Sequence, residues 1–178
     1  FFDGISTTMT GYAAQTDAEL KADLIVKHHK DALATFVKRD LGGSLAEFVT
    51  LMEPDAFNVL LDHKKLMNVD FQGGMGDNNF AARRVGWLNG IKVIETPRFP
   101  TTAIASHFLG PAFNVSAAEA KARMVIFHPR KTLVTVEAQG MVARVWDDKE
   151  NFANVLDSYC MYTVGLKRGD CVAVLSIE

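Results

Sequence analysis

The chain has 178 residues, 48% hydrophobic and 22% charged, a globular mixture able to bury roughly 70% of its unfolded surface without a disulfide or metal staple. Its 19 basic and 21 acidic side chains leave a formal net charge of -2, which argues against a domain whose main task is gripping nucleic acid phosphates. Cys160 and Cys171 are too few for a disulfide framework, lack metal-ligand spacing and sit in apolar runs, so a reducing compartment is expected. The longest apolar stretches, Met124–Phe127 and Cys171–Leu175, fall far short of the ~20 residues of a membrane helix, and no signal peptide pattern opens the chain. One soluble domain, or two small interlocked ones, is the expectation.

Residues 1–17 are rich in Thr, Gly and Ser without helical period and read as a loop or extended lead-in. Thr16 and Asp17 then offer an N-cap, and Leu20, Leu24, Ile25, Ala32, Leu33, Phe36, Val37 and Leu41 recur at spacings of three and four, predicting a long helix from about Ala18 to Arg39, ended by Gly42-Gly43. Its other face, with Lys21, Lys27, Lys30, Asp31 and Lys38, is solvated or faces a partner. A strand at Phe48–Met52 follows, and Pro54-Asp55 begins a shorter helix to about Leu66.

Phe71–Asn79, with Gly73, Gly74 and Gly76, is a loop by composition, and Val85–Ile94 reads as two strands around Asn89-Gly90, a pair suited to a type I′ turn. Thr101–Ala118 is a long irregular stretch, unusually apolar at Phe108, Leu109 and Phe113, and therefore a candidate contact surface. Strands are predicted at Met124–Phe127, Thr132–Glu137 and Met141–Trp146, the last two joined through Gln139-Gly140. Asp147 as cap, Glu150 at the capping-box position and the stripe Phe152, Val155, Leu156, Tyr159 and Thr163 predict a helix stopped by Gly165, before a buried strand at Cys171–Ile177.

No catalytic, cofactor-binding or metal-binding group emerges. Gly73-Gly74-Met75-Gly76 lacks the Lys-Ser or Lys-Thr of a phosphate loop. His28 and His29 are adjacent on a helix and point to different sides, while His63 and His128 are scattered. Cys160 falls inside the last predicted helix beside its buried stripe, away from the helix starts and cations that activate thiols. Asp147, Asp148 and Glu150 are what a helix dipole favours in a first turn.

The order of elements resembles a family, the major capsid proteins of tailed bacteriophages with the Hong Kong 97-type shell fold, closest to those of short-tailed phages. The likeness runs from about Gly11 onward. The long helix is similar to the family's spine helix, FVTLMEPDAFNVLLDHKKLMN to the strand, proline and helix that open its axial domain, and NGIKVIETPRFP to the glycine-led strand before its central loop. The stretch from MVIFHPRKTLV to CVAVLSIE resembles its succession of strand, β-arm, acidic helix start, amphipathic helix with a late Tyr-x-x-x-Gly-like ending, and Val-rich strand. Many relatives have Arg-Pro where this chain has Arg168-Gly169, and the family's N-terminal arm and extended loop have no counterpart before the helix; the opening Phe1-Phe2 fits a chain that resumes after them.

The resemblance implies an α+β fold in which an axial domain, a central sheet flanked by helices, joins a peripheral domain of spine helix and β-arm. The expected divisions are 1–43, opening segment and spine helix; 44–131, first part of the axial domain; 132–146, β-arm; and 147–178, last helix and strand of the axial domain. It implies a structural, non-enzymatic protein of the virion, assembled in the host bacterial cytoplasm. Copies would form pentamers and hexamers of an icosahedral head around double-stranded DNA, without sequence-specific DNA contact, membrane or cofactor. Scaffolding, portal and decoration proteins are further partners of such shells. Phe108, Leu109 and Phe113 would face the capsomer axis. An encapsulin-type nanocompartment shell is the alternative of the same fold; a small α+β cytosolic enzyme and a generic binding domain are those of other classes.

Overall fold

The computed structural model describes residues 3–67, 85–108 and 110–178. Its centre is a mixed six-stranded sheet built from β1 (Ile5–Met9), β2 (Val49–Met52), β3 (Trp87–Leu88), β4 (Ile91–Glu95), β5 (Ala122–Phe127) and β8 (Val172–Ile177), in the order β1-β8-β5-β2-β4-β3. β1 runs parallel to β8 and β2 parallel to β4; the other neighbours are antiparallel. A separate two-stranded ribbon comprises β6 (Leu133–Asp148) and β7 (Ala153–Leu166). Among the described residues the α-helices are α1 (Ala18–Lys38), α2 (Pro54–Leu61), α3 (Lys64–Met67) and α4 (Pro129–Thr132).

α1 starts where the Asp17 carboxylate accepts from the Glu19 amide at 2.9 Å, with Glu19 in the first turn and Lys38 in the last, as the helix dipole favours. Ala22, Ile25, His29, Ala32, Leu33 and Phe36 line its buried face. Leu20 and Val37, expected on that stripe, are exposed, because they lie off the buried face: at ~100° per residue Leu20 is about 160° around the helix from Ala22 and Val37 about 100° from Phe36. The helix stops at Lys38, before the Gly-Gly pair: Asp40 takes a positive φ of 59° and Gly42–Glu47 forms a 3-10 turn. Thr50, Met52, Met124, Ile126, Ala173 and Leu175 point from the sheet into the same core, where Phe36 and Phe48 meet with ring centroids 4.8 Å apart. Each of the large apolar side chains among these, such as Phe36 and Ile126, contributes about 1.5–3 kcal/mol by leaving water.

Several expectations hold: α1, the strand before Pro54, the turn at Asn89-Gly90 with φ of 50° and 80°, and the closing strand. The lead-in takes the extended alternative where it forms β1, whose backbone groups are satisfied by β8 far along the chain, so no local signal marks the pairing. Others are corrected. The second helix breaks at Asp62-His63, where the backbone caps α2 before α3 begins. Gln139-Gly140 is not a turn; the two short strands are one, β6, with irregular register around these residues.

The predicted helix after Asp147 is absent. Ala153–Leu166 is strand β7, antiparallel to β6 from Asp148↔Ala153 to Leu133↔Leu166. Val155, Tyr159, Tyr162, Thr163 and Val164 are β-formers, and the supposed capping box is an Asx turn: Asp148 Oδ1 accepts from the Glu150 amide at 3.1 Å and Oδ2 from Asn151 Nδ2 at 2.8 Å. Those bonds, the Asn151 one foremost, hold the Asp148 carboxyl below its ordinary range. The expected Phe71–Asn79 loop lies outside the described residues.

Candidate assembly interface

The long connection between β4 and β5 is tied down at both ends. The Thr96 amide donates to Met52 O at 2.9 Å, and Ile104 and Val115 form an antiparallel bridge with bonds of 2.9 and 3.0 Å. Ser116 and Glu119 make a local capping pair, the Glu119 carboxylate accepting from the Ser116 amide and hydroxyl at 2.7 Å each, which holds that carboxyl below its usual range. Between the bridge residues the chain turns back through Gly110, whose φ of 111° suits only glycine.

This hairpin-like loop presents Phe108, 89% exposed, and Phe113, 51% exposed. The His107 ring stacks on Phe108 at 4.8 Å and lies 5.6 Å from Phe113, and the His107 amide is fixed by Asn114 Oδ1 at 3.0 Å. The sequence pointed to the two phenylalanines and missed the histidine between them, which only the loop's reversal brings there. Leu109, the third expected member, lies outside the described residues. Beside the aromatic group a cavity of about 510 Å³ opens over the face of the sheet opposite the one that packs on α1, with Leu51, Val125 and Val174 as floor and Phe99, Phe113 and Val115 as walls. An aromatic cluster beside an apolar hollow has the character of a protein contact.

The ribbon is the second candidate surface. No residue of β6 or β7 is buried, and large apolar side chains stand in water along it: Met141 at 78%, Val145 and Leu156 at 71%, Leu166 at 66%. Phe152 at the turn is 94% exposed with φ of 51°. Paired residues share a face, so Val145 with Leu156 and Leu133 with Leu166 line one side, and Val136 with Thr163 and Trp146 with Val155 the other. Across the middle, Arg144 donates to the Tyr159 hydroxyl at 2.9 Å and stacks on its ring. The root is fixed by Thr132 O, which accepts from the Lys167 amide at 2.7 Å, and by the Arg168–Asp170 pair with bonds of 3.0 and 2.6 Å. Those bonds from Arg168 hold the Asp170 carboxyl below its ordinary range.

Neither a protein-family model nor a curated protein matches the chain by sequence. Solved structures do. A chain from the asymmetric unit of the bacteriophage PhiM1 mature capsid is 42% identical, with a TM-score of 0.81 over 99% of this chain and 52% of that one. The fold is that of a tailed-phage capsid protein. The capsid structure of cyanophage P-SCSP1u follows at 16% identity and a TM-score of 0.73, covering 99% of this chain and 53% of that one. A structure from Mycobacterium phage Che8 has 19% identity and a TM-score of 0.56, covering 97% and 53%. At those identities the last two speak to fold alone. The chain thus spans about half the length of the solved chains it matches.

Within this capsid fold the residues weighed for chemistry are dispersed. His29 is buried between Thr50 Oγ1 and Asn89 Nδ2, each at 3.0 Å, while its neighbour His28 is half-exposed on another side of α1. His63 pairs with Asp23 at 3.0 Å. His128 Nε2 stands 3.1 Å from a Glu47 carboxylate oxygen, close enough to pair but not aligned for a hydrogen bond. Glu53 and Arg123 form a similar partly buried contact at 2.8 Å, where burial raises the Glu53 carboxyl more than the guanidinium lowers it. Among the described residues no three His, Cys, Asp or Glu side chains converge to hold a metal. Cys160 lies exposed on β7 instead of beside a buried helical stripe, whereas Cys171 is buried at the start of β8. Gly73–Gly76 fall outside the described residues.

Proposed function

We propose that this chain belongs to a phage major capsid protein whose copies assemble into the pentamers and hexamers of an icosahedral head around double-stranded DNA. The observation that carries this reading is 42% identity over 99% of the chain, at a TM-score of 0.81, to a protein of a mature phage capsid. The role is structural in this reading; among the described residues those weighed for catalysis do not converge on one site. In this reading α1 and the ribbon form the peripheral domain, the ribbon taking in Ala153–Leu166, which the expected division at 147 gave to the axial domain; the six-stranded sheet with its helices belongs to the axial domain, and the protein resides in the virion. Scaffolding, portal and decoration proteins are its further partners, and it meets packaged DNA without reading sequence.

Phe108 and Phe113 then face the capsomer axis. Their exposure, their stacking with His107 and the apolar hollow beside them support that placement. Electron microscopy of the full-length protein tests both parts. Closed shells are expected for the unchanged protein, and a discrete small oligomer refutes the reading. Phe108→Asp with Phe113→Asp should abolish closed shells while leaving the far-ultraviolet circular dichroism unchanged; shells as abundant as before would remove these residues from the contact. Particles that hold enzyme cargo and no nucleic acid would point instead to a nanocompartment.

A further inference from the structure

The β6–β7 ribbon is charged in opposite senses at its two ends. Its turn carries Asp147, Asp148 and Glu150 against Lys149. Its root carries Arg130, Lys131, Lys167 and Arg168, where Asp170 partners Arg168 and Glu47 stands by His128. Arg130 and Lys167 are exposed and make no ion pair with another described residue; Asp147 and Glu150 at the tip are in the same position. The 16 residues of β6, at ~3.3 Å each, separate root from tip by about 50 Å. That is several times the ~8 Å screening length at physiological salt, so within one molecule neither end answers the other.

Between the ends both faces expose large apolar side chains, beside the charges of Glu137 and of the paired Arg144 and Asp157, and the outer edge of each strand pairs with no other described strand. A two-stranded ribbon of this kind is marginal by itself in water and calls for a cover. A nucleic acid would satisfy the root and leave the tip unanswered, and a basic partner would do the reverse. A second copy of this chain satisfies both, because apolar flanks meet apolar flanks as a tip reaches a root. We infer that the ribbon is an arm by which copies of this chain grip one another, the acidic tip of one (Asp147, Glu150) seated on the basic root (Arg130, Lys167) of the next. The inference rests on the self-assembly reading and adds to it the surface and the polarity of the contact.

Reciprocal charge reversal in the full-length protein tests it, with Asp148 left intact because it builds the turn. Asp147→Lys with Glu150→Lys, or Arg130→Glu with Lys167→Glu, should each raise the concentration needed for assembly, read by sedimentation velocity, by roughly tenfold or more, without moving the melting temperature of the unassembled subunit. All four substitutions together should restore assembly. Equal assembly of the tip variant and the unchanged protein overturns the inference, as does a fourfold variant no better than either pair. A tip reversal that lowers subunit melting temperature and spares assembly also overturns it, and assigns the cover to the same subunit. If the unchanged protein itself forms no particles, the shell reading falls and the inference with it; particles indifferent to the reversals overturn the inference alone.

Discussion

Acidification should destabilise this fold through His29. The ring is fully buried between α1, β2 and the β3–β4 turn. The Asn89 amide nitrogen can only donate, so His29 Nδ1 accepts and the neutral ring carries its proton on Nε2, donating to Thr50 Oγ1. A second ring proton would face the Asn89 amide nitrogen, itself a donor, in a fully buried site. Burial pushes the imidazole pKa from 6.5 down to about 4. The unfolded chain therefore binds a proton between these values that the folded chain refuses. Stability is fully present above about pH 6.5 and falls by about 1.4 kcal/mol per pH unit to near pH 4, a total of about 3 kcal/mol. Urea unfolding at half-unit pH steps measures the slope, and His29→Gln, which cannot titrate, isolates it from the carboxylates. Parallel pH profiles for the two proteins, or an imidazole titrating near 6.5 by NMR in the folded state, would refute the reasoning.

Two further outcomes follow from particular positions. Gly90 sits at φ of 80° with open space where a Cβ would go, so Gly90→Val should cost about 1–2 kcal/mol from backbone strain alone; a melting temperature equal to that of the unchanged protein counts against the turn. Native subunits should label one thiol, Cys160, and denatured ones two, since Cys171 is buried and its thiol is pushed up in pKa by that burial. Labelling of Cys160 should then slow on assembly if copies cover the ribbon, and an unchanged rate would leave β7 outside the contact.

The parts of the fold legible in the sequence are those whose stabilisation is local or one-sided. α1 has a cap, an acidic start and a single buried face, and Asn89-Gly90 sets its turn by backbone preference alone. β1 was hidden because it owes its backbone partners to residues 168 positions away. β7 was misread because both faces of the ribbon carry apolar residues mixed with polar ones, which erases the alternation that marks a strand and leaves spacings that also fit a helix. The same property makes the ribbon a contact surface, so the signal that failed for secondary structure was reporting on association. Phe108 and Phe113 stood out as apolar residues in a loop, while His107 had no such mark.

The place of β8 sets a condition on how the subunit comes into being. It follows every other described strand in sequence, yet lies between β1 and β5 in the sheet. Until it is made, β1 has no neighbour among the described strands, while β5, β2, β4 and β3 can already pair. Closing this sheet therefore takes an insertion that joins β1 to the other described strands, a non-local step of the kind that slows folding. A chain interrupted before Val172 would carry an exposed ribbon and an unclosed core edge, and so could compete for contacts without being able to complete a subunit.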